Sequence, residues 1–221
     1  LVREVPVALS SEANYVVAHP AESITRMLPT ELDLSELTRD ITLPDSVTHI
    51  GRYGIAMCSK LTGMSIPKAV TEIGDFCLAG NGLTAVTLPD GLQSLGRGAF
   101  DSCASLTNTA LPAAITAVPG KCFADCTKLL NVKYAGTVTA IGDLAFESCK
   151  ALTAAPIPET VTEIGASAFT GCTALTDVYY TGAQTQWNRI RTPENENVLG
   201  SAALHCGAVA HTFDNNWVET L

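Results

Sequence analysis

Ile157-Pro158-Glu159-Thr160-Val161-Thr162-Glu163-Ile164-Gly165, running on through Ala168-Phe169-Thr170-Gly171-Cys172 to Leu175-Thr176-Asp177-Val178, is one of six near-copies of a single unit between Ile41 and Tyr179. A second clean copy runs from Leu88-Pro89 through Ala99-Phe100-Asp101-Ser102-Cys103 to Leu106-Thr107. The opening prolines fall at 44, 67, 89, 112 and 158, with Ala135 in the fifth slot, so the spacings are 23, 22, 23, 23 and 23. A fixed period of this size predicts a solenoid, in which one repeat cannot bury its apolar face and neighbours stack to make the core.

Within each copy the apolar positions form short groups. Leu83-x-x-Val86-x-Leu88 ends in strand-like alternation, as do Leu61-x-x-Met64-x-Ile66 and Leu175-x-x-Val178-x-Tyr180. The proline that follows lacks an N–H and turns the chain out of the sheet. A second extended piece, Val70-Thr71-Glu72-Ile73, closes at Gly74, and glycine recurs at 51, 96, 142 and 165. Those corners are expected to need either a positive φ or a close backbone approach. Pro119, with Gly120 beside it, breaks the series and predicts a locally different fourth corner. The next segment, carrying Phe76, Phe100, Phe123, Phe146 and Phe169, with Ile55 in the first copy, is expected to form a turn or two of helical or 3₁₀ backbone whose phenylalanines stack as an inner spine.

These residues resemble the BspA-like leucine-rich repeats, whose unit runs close to Ile-Pro-x-x-Val-Thr-x-Ile-Gly-x-x-Ala-Phe-x-x-Cys-x-x-Leu-x-x-Val. The resemblance covers 41–179, and Val178-Tyr179-Tyr180-Thr181-Gly182 followed by Gln186-Trp187-Asn188-Arg189-Ile190 looks like the cap that closes such arrays. It implies an α/β-type solenoid: a right-handed leucine-rich repeat with a parallel β-ladder and about six 23-residue coils. Residues 1–40 then form an N-terminal capping segment, matching the unit only loosely around Leu32–Leu37, and 180–221 a C-terminal cap and tail, with Ala202–Cys206 returning as one more strand. The resemblance also implies a bacterial protein, secreted or displayed at the cell surface, that adheres to extracellular or host proteins.

The formal charge of −9 is spread as −4 over 1–40 (3 basic, 7 acidic), −3 over 41–179 (8 and 11) and −2 over 180–221 (2 and 4). With no basic segment, nucleic acid and anionic membranes are poor partners. The chain shows neither a transmembrane run nor, in Leu1-Val2-Arg3-Glu4, a signal peptide, and it leaves the oligomeric state open.

Eight cysteines raise the possibilities of a disulfide framework or a metal site. Five of them, at 58, 103, 126, 149 and 172, share one repeat position, where the second copy has Asn81; Cys77 and Cys122 take a slot that is alanine in most other copies. A residue that recurs once per coil and trades with alanine reads as a small buried filler. Stacked coils keep equivalent Cβ atoms near the strand spacing of ~4.8 Å, whereas a disulfide needs about 3.5–4.5 Å, so free thiols are expected. Cys122-x-x-x-Cys126 lacks the partner pair of a zinc signature.

The residues imply no cofactor, no metal and no catalytic set. His49 reads as a surface residue and His205 as a satisfied cap histidine; an enzyme would require one of them to cluster with acidic neighbours. The acidic pairs Glu72/Asp75 and Glu159/Glu163 sit at turns, where charge serves the solvated face. What remains is the outward side of the first strand, Gly63/Ser65, Ala85/Thr87, Asn108/Ala110, Asn131/Lys133, Ala154/Pro156 and Asp177/Tyr179. Its sizeable groups, Asn108, Asn131, Lys133, Asp177 and Tyr179, are the candidate protein-binding face of a non-enzymatic module. The alternative is capture of a glycan or small ligand on Tyr179, Tyr180 and Trp187 near the C-terminal cap, which an exposed Trp187 would favour. Trp187 otherwise serves as a lid over the last Phe, and Trp217 can be read either way.

Overall fold

The computed structural model describes residues 23–24, 41–43, 45–192 and 197–207. The readings of Trp217 and of nearly all of the N-terminal cap fall outside them. The chain winds as a parallel solenoid of about seven turns carrying two ladders of short strands. The first comprises β2 (Ile41–Thr42), β4 (Met64–Ser65), β7 (Asn108–Leu111), β9 (Asn131–Tyr134), β11 (Ala154–Ile157), β13 (Asp177–Tyr180) and β14 (Ala203–Cys206). The second comprises β1 (Ser23–Ile24), β3 (His49–Ile50), β5 (Glu72–Ile73), β6 (Ser94–Leu95), β8 (Ala117–Val118), β10 (Ala140–Ile141) and β12 (Glu163–Ile164). Both ladders run beyond the 41–179 array: Ser23 pairs with His49, and Tyr180 with Cys206.

Prolines cut both ladders. The N–H groups of Gly74, Gly96, Gly142 and Gly165 donate to carbonyls one coil back, at Ile50, Ile73, Val118 and Ile141, over 2.7–2.8 Å. Pro119 holds the same slot without an N–H, and there the second ladder divides, with β6 and β8 in separate sheets. In the first ladder Ala135 and Thr181 donate to Leu111 and Ile157 at 3.0 and 3.2 Å. In the intervening coil Pro158 takes that slot and Pro156 stands two residues earlier on the same bonding edge, so β9 and β11 also fall in different sheets.

Of the two reasons for the corner glycines, close approach is the one that operates. Gly74, Gly96, Gly142 and Gly165 are not among the positive-φ residues. A Cβ at Gly96 would instead lie 2.4 Å from backbone atoms of Gly74 and Asp75. Positive φ occurs at two other positions in each coil: Tyr53, Phe76, Gly98, Lys121, Leu144 and Ser167 in one row, Met57, Gly80, Ser102, Asp125, Ser148 and Gly171 in the other.

Those rows correct the expectation of helical or 3₁₀ backbone in the third segment. A left-handed residue every few positions breaks helix propagation, leaving turns closed by bonds such as Ala56 N–H to Tyr53 (3.3 Å) and Ala79 N–H to Phe76 (3.2 Å). Alternate N–H groups reach forward to the next coil, as Phe100 does to Cys122 (2.9 Å) and Ser102 to Ala124 (2.7 Å). The turn side is thus a third hydrogen-bonded ladder beside the two of the strands. Helix among the described residues is confined to α1 (Gln184–Trp187) and α2 (Asn197–Ser201) in the C-terminal cap.

The interior is one continuous apolar column. Phe100, Phe123, Phe146 and Phe169 stack with centroids 5.1–5.5 Å apart and ring planes within 18° of parallel. The expected fifth member, Phe76, is not in this spine. Between the second and third coils the equivalent positions lie 22 residues apart, so Leu78 is the counterpart of Phe100, and Leu78 and Ile55 fill the column, fully or almost fully buried. Phe76 lies on the outer turn row, stacked on Tyr53 at 5.4 Å.

The cysteine row also does more than fill space. The Sγ of Cys103, Cys126, Cys149 and Cys172 donates to the carbonyl of Leu78, Phe100, Phe123 and Phe146, respectively, at 3.0–3.2 Å. Asn81 continues the row with its amide, Nδ2 donating to Ile55 O and Oδ1 accepting from Cys58 N–H, both at 2.8 Å. The short loop Asn81-Gly82-Leu83, against Cys103-Ala104-Ser105-Leu106 in the next coil, is where the missing residue was lost. Gly82 is obligatory there, since its Cβ would lie 2.2 Å from Ser59 O.

Candidate functional site

From Ala85 onward the outward side chains of the first ladder fall into two groups because of the break at Pro156. On one sheet Asn108 faces Asn131 and Ala110 faces Lys133, with Ala85 bridged to Asn108 at its margin. On the other, Ala154 faces Asp177, which faces Ala203, and Pro156 faces Tyr179, which faces His205. The five candidate residues therefore do not share one sheet: Asn108, Asn131 and Lys133 are separated from Asp177 and Tyr179 by the strand carrying Pro156.

The C-terminal group is the more organised. Asp177 accepts a hydrogen bond from Thr176 Oγ1 at 2.7 Å and lies 2.8 Å from His205 Nε2. The Thr176 hydroxyl first, and the His205 contact after it, hold the Asp177 carboxyl below its usual range. The His205 ring stacks on Tyr179 with centroids 4.7 Å apart and planes 17° from parallel. Pro156, Tyr179 and His205 thus make one row of flat side chains across three strands, with the Asp177–His205 pair beside it. His205 was absent from the candidate face, although the alternation of Ala203-Leu204-His205-Cys206 matches Asp177-Val178-Tyr179-Tyr180 position for position. The step between them is 26 residues, because the cap containing α1 and α2 intervenes, so the 23-residue period does not reach it.

The alternative platform is taken apart by strand alternation. Tyr179 faces outward, whereas Tyr180 is buried with its hydroxyl donating to Glu159 O at 3.4 Å. Trp187, half-buried at the end of α1, packs edge-on against Tyr180 at 5.3 Å and 65°. Both are core and lid, on the other side of the sheet from Tyr179. A further residue that went unnoticed is Leu130. It stands in a slot where Thr84, Thr107 and Thr176 send Oγ1 to the carbonyl of the preceding coil, and it is 44% exposed beside Asn131. Its signal was the lapse from threonine in an otherwise regular column.

Both histidines do meet acidic neighbours: His205 pairs with Asp177, and His49 Nε2 lies 3.7 Å from Glu72. Neither pair has an activated nucleophile to serve. Cys206 points to the opposite side of β14 from His205, with Sγ 3.5 Å from Gln184 Oε1. Burial raises Cys58 to about 11 and Cys77 and Cys103 to about 12, which keeps them protonated near neutrality. Glu163 pairs with Arg191 at 3.4 Å, and Asp75 Oδ1 accepts from Arg97 N–H at 2.9 Å, so these acids serve the coil. Among the described residues no three His, Cys, Asp or Glu side chains gather as a metal site, and no helix is long and apolar enough to cross a membrane.

Several solved structures are similar to this chain. A leucine rich cell surface protein of Faecalibacterium prausnitzii A2-165 matches with TM-score 0.56 and 27% identity, covering 70% of this chain and 57% of its own. A leucine-rich repeat protein of Bacteroides ovatus ATCC 8483 matches with TM-score 0.50 and 25% identity over 76% of this chain and 53% of that one. One of Eubacterium ventriosum ATCC 27560 gives 0.51 and 25% over 62% and 43%. The chain thus spans only about half the length of these relatives. Comparison with curated proteins gives no match. The BspA type leucine rich repeat region matches residues 34–153 in six copies, and the same coil continues geometrically to Tyr180; the chain belongs to the BspA-type leucine-rich repeat family.

Proposed function

We propose that this chain is a non-enzymatic interaction module of a bacterial secreted or cell-surface protein, and that it binds an extracellular or host protein through the C-terminal end of its strand face. The observation that carries the reading is the row Pro156, Tyr179, His205 with Asp177 beside it, a rigid, partly desolvated aromatic centre on an otherwise small-residue sheet. Interfaces concentrate their energy in such anchors. The cell-surface relative in Faecalibacterium prausnitzii supports the location. Asn131 and Lys133, across the Pro156 break, supply the polar margin. Glycan capture is disfavoured, because Tyr180 and Trp187 are turned away from Tyr179.

The test begins with a panel of host extracellular proteins assayed for binding to the chain. Tyr179→Ala combined with His205→Ala should weaken the complex by about 1–2 kcal/mol or more, roughly 5- to 30-fold in Kd, with the melting temperature nearly unchanged. Undiminished binding by the double variant would move the contact surface elsewhere.

A further inference from the structure

The turn side carries an aromatic and thioether ridge that neither the core nor the strand face requires. A left-handed backbone costs a non-glycine residue about 1–2 kcal/mol, because its Cβ crowds the following carbonyl. From the third coil onward the two left-handed rows hold glycine, serine, lysine or aspartate, with Leu144 the exception. The first two coils instead place three large side chains there: Tyr53 (φ 55°), Met57 (φ 66°) and Phe76 (φ 51°). None fills the column, since Ile55 and Leu78 do that. Tyr53 is 38% exposed and Met57 71%.

The ridge is held rigidly. Phe76 stacks on Tyr53 and lies over Gly98, where a Cβ would sit 2.3 Å from the ring. Met57 lies over Gly80, whose Cβ would meet Sδ at 2.7 Å. The Arg52 guanidinium rests 5.0 Å above the Tyr53 ring centroid. In a chain of net charge −9, Arg52 takes part in no ion pair among the described residues.

We infer that Arg52, Tyr53, Met57 and Phe76 form a second protein-docking surface, distinct from the strand face, for a peptide segment that presents a carboxylate beside a large apolar side chain. Arginine, tyrosine and methionine are the residue types that interface centres favour. The Arg52 guanidinium, with no ion pair among the described residues, offers a planar fork of donors that matches a carboxylate. Phe76 and Arg52 already cover the faces of the Tyr53 ring, which leaves a sugar no surface to stack on. What stays open is the guanidinium N–H groups, the Tyr53 edge and the Met57 thioether, and these suit an acidic residue next to Leu, Phe or Trp.

The test is selection of a displayed random-peptide library on the intact chain, followed by titration of the enriched peptides against variants. The expected result is enrichment of Asp or Glu adjacent to Leu, Phe or Trp. Affinity should fall about tenfold or more in Arg52→Glu and in Tyr53→Ser with Met57→Ser, while Tyr179→Ala with His205→Ala binds as the parent does. Circular dichroism melts of Arg52→Glu should overlay those of the parent, since the side chain is exposed. Failure to enrich peptides, enrichment without the acidic–apolar signature, or retention of affinity in Arg52→Glu would overturn the inference. So would loss of the same peptides in the Tyr179/His205 variant, which would assign them to the strand face.

Discussion

Asn81 shows how much a single side chain contributes in a ladder. It is 2% exposed and satisfies two backbone groups of the preceding coil, the Ile55 carbonyl and the Cys58 N–H. Asn81→Ala strips both, and unpaired buried polar groups cost about 1–3 kcal/mol each, so denaturant unfolding should show a loss of about 2–5 kcal/mol. Asn81→Cys keeps a donor but leaves Cys58 N–H unpaired, and should cost less. The thiols of the same row make a second prediction, about pH. Their folded-state pKa values lie above the ordinary 9.0, at about 11 for Cys58 and about 12 for Cys77 and Cys103, because burial disfavours the thiolate. The unfolded chain therefore releases protons first as pH rises, and stability must fall with pH from the unfolded value upward. Denaturation midpoints should hold between pH 7 and 8 and drop steeply from about 9 to 12, by up to about 1.4 kcal/mol per pH unit for each such thiol. A thiol reagent at neutral pH should label Cys206 first and the other seven cysteines only on unfolding; ready labelling of the buried row would contradict the geometry.

At the scale of the element, the turn side is the least conventional part of the coil. Its backbone alternates left-handed residues with inward-facing ones, and alternate N–H groups bond forward to the next coil while those between close local turns. Glycine at 98 is demanded twice, by φ +61° and by the Phe76 ring. Gly98→Ala should cost about 2 kcal/mol or more, part from the left-handed backbone and part from overpacking. In a double-mutant cycle Phe76→Ala should relieve the overpacking and leave the backbone part, so the pair should be less destabilised than the sum of the singles. Strict additivity would mean that Phe76 moves aside freely and does not hold Gly98.

For the molecule as a whole, each coil is stabilised by its neighbours, so damage at the centre propagates. Phe146 sits between Phe123 and Phe169 in the stack. Phe146→Ala should cost about 3–5 kcal/mol through the cavity it leaves, and melting should remain one transition shifted downward; a barely altered melt would remove Phe146 from the column. The ladders are not uniform along the axis. The second divides at Pro119, and the first divides twice, between β4 and the isolated Ala85–Asn108 bridge and again at Pro156, so strand bonding is interrupted on both sides of the array. The division at Pro156 also leaves the aromatic end of the strand face on its own sheet with β14, apart from Asn131 and Lys133.

The period, the two strand segments, the buried cysteine row and the phenylalanine stack from Phe100 to Phe169 were all legible in the residues, because a repeat advertises every position that each coil must fill in the same way. What the tertiary structure alone decided lies where that regularity lapses. Phe76, the conspicuous aromatic of its coil, gives up the spine to Leu78, which stands as far from Gly74 as Phe100 does from Gly96. His205 looks like cap filler until a 26-residue step returns it beside Tyr179 and Asp177. Left-handed turns occupied by Tyr53, Met57 and Phe76 carry no glycine to announce them. Periodicity is a property of one chain segment compared with the next, whereas contact across an insertion, a deletion or a missing N–H depends on the accumulated geometry of the coils between, and that geometry exists only once they have stacked.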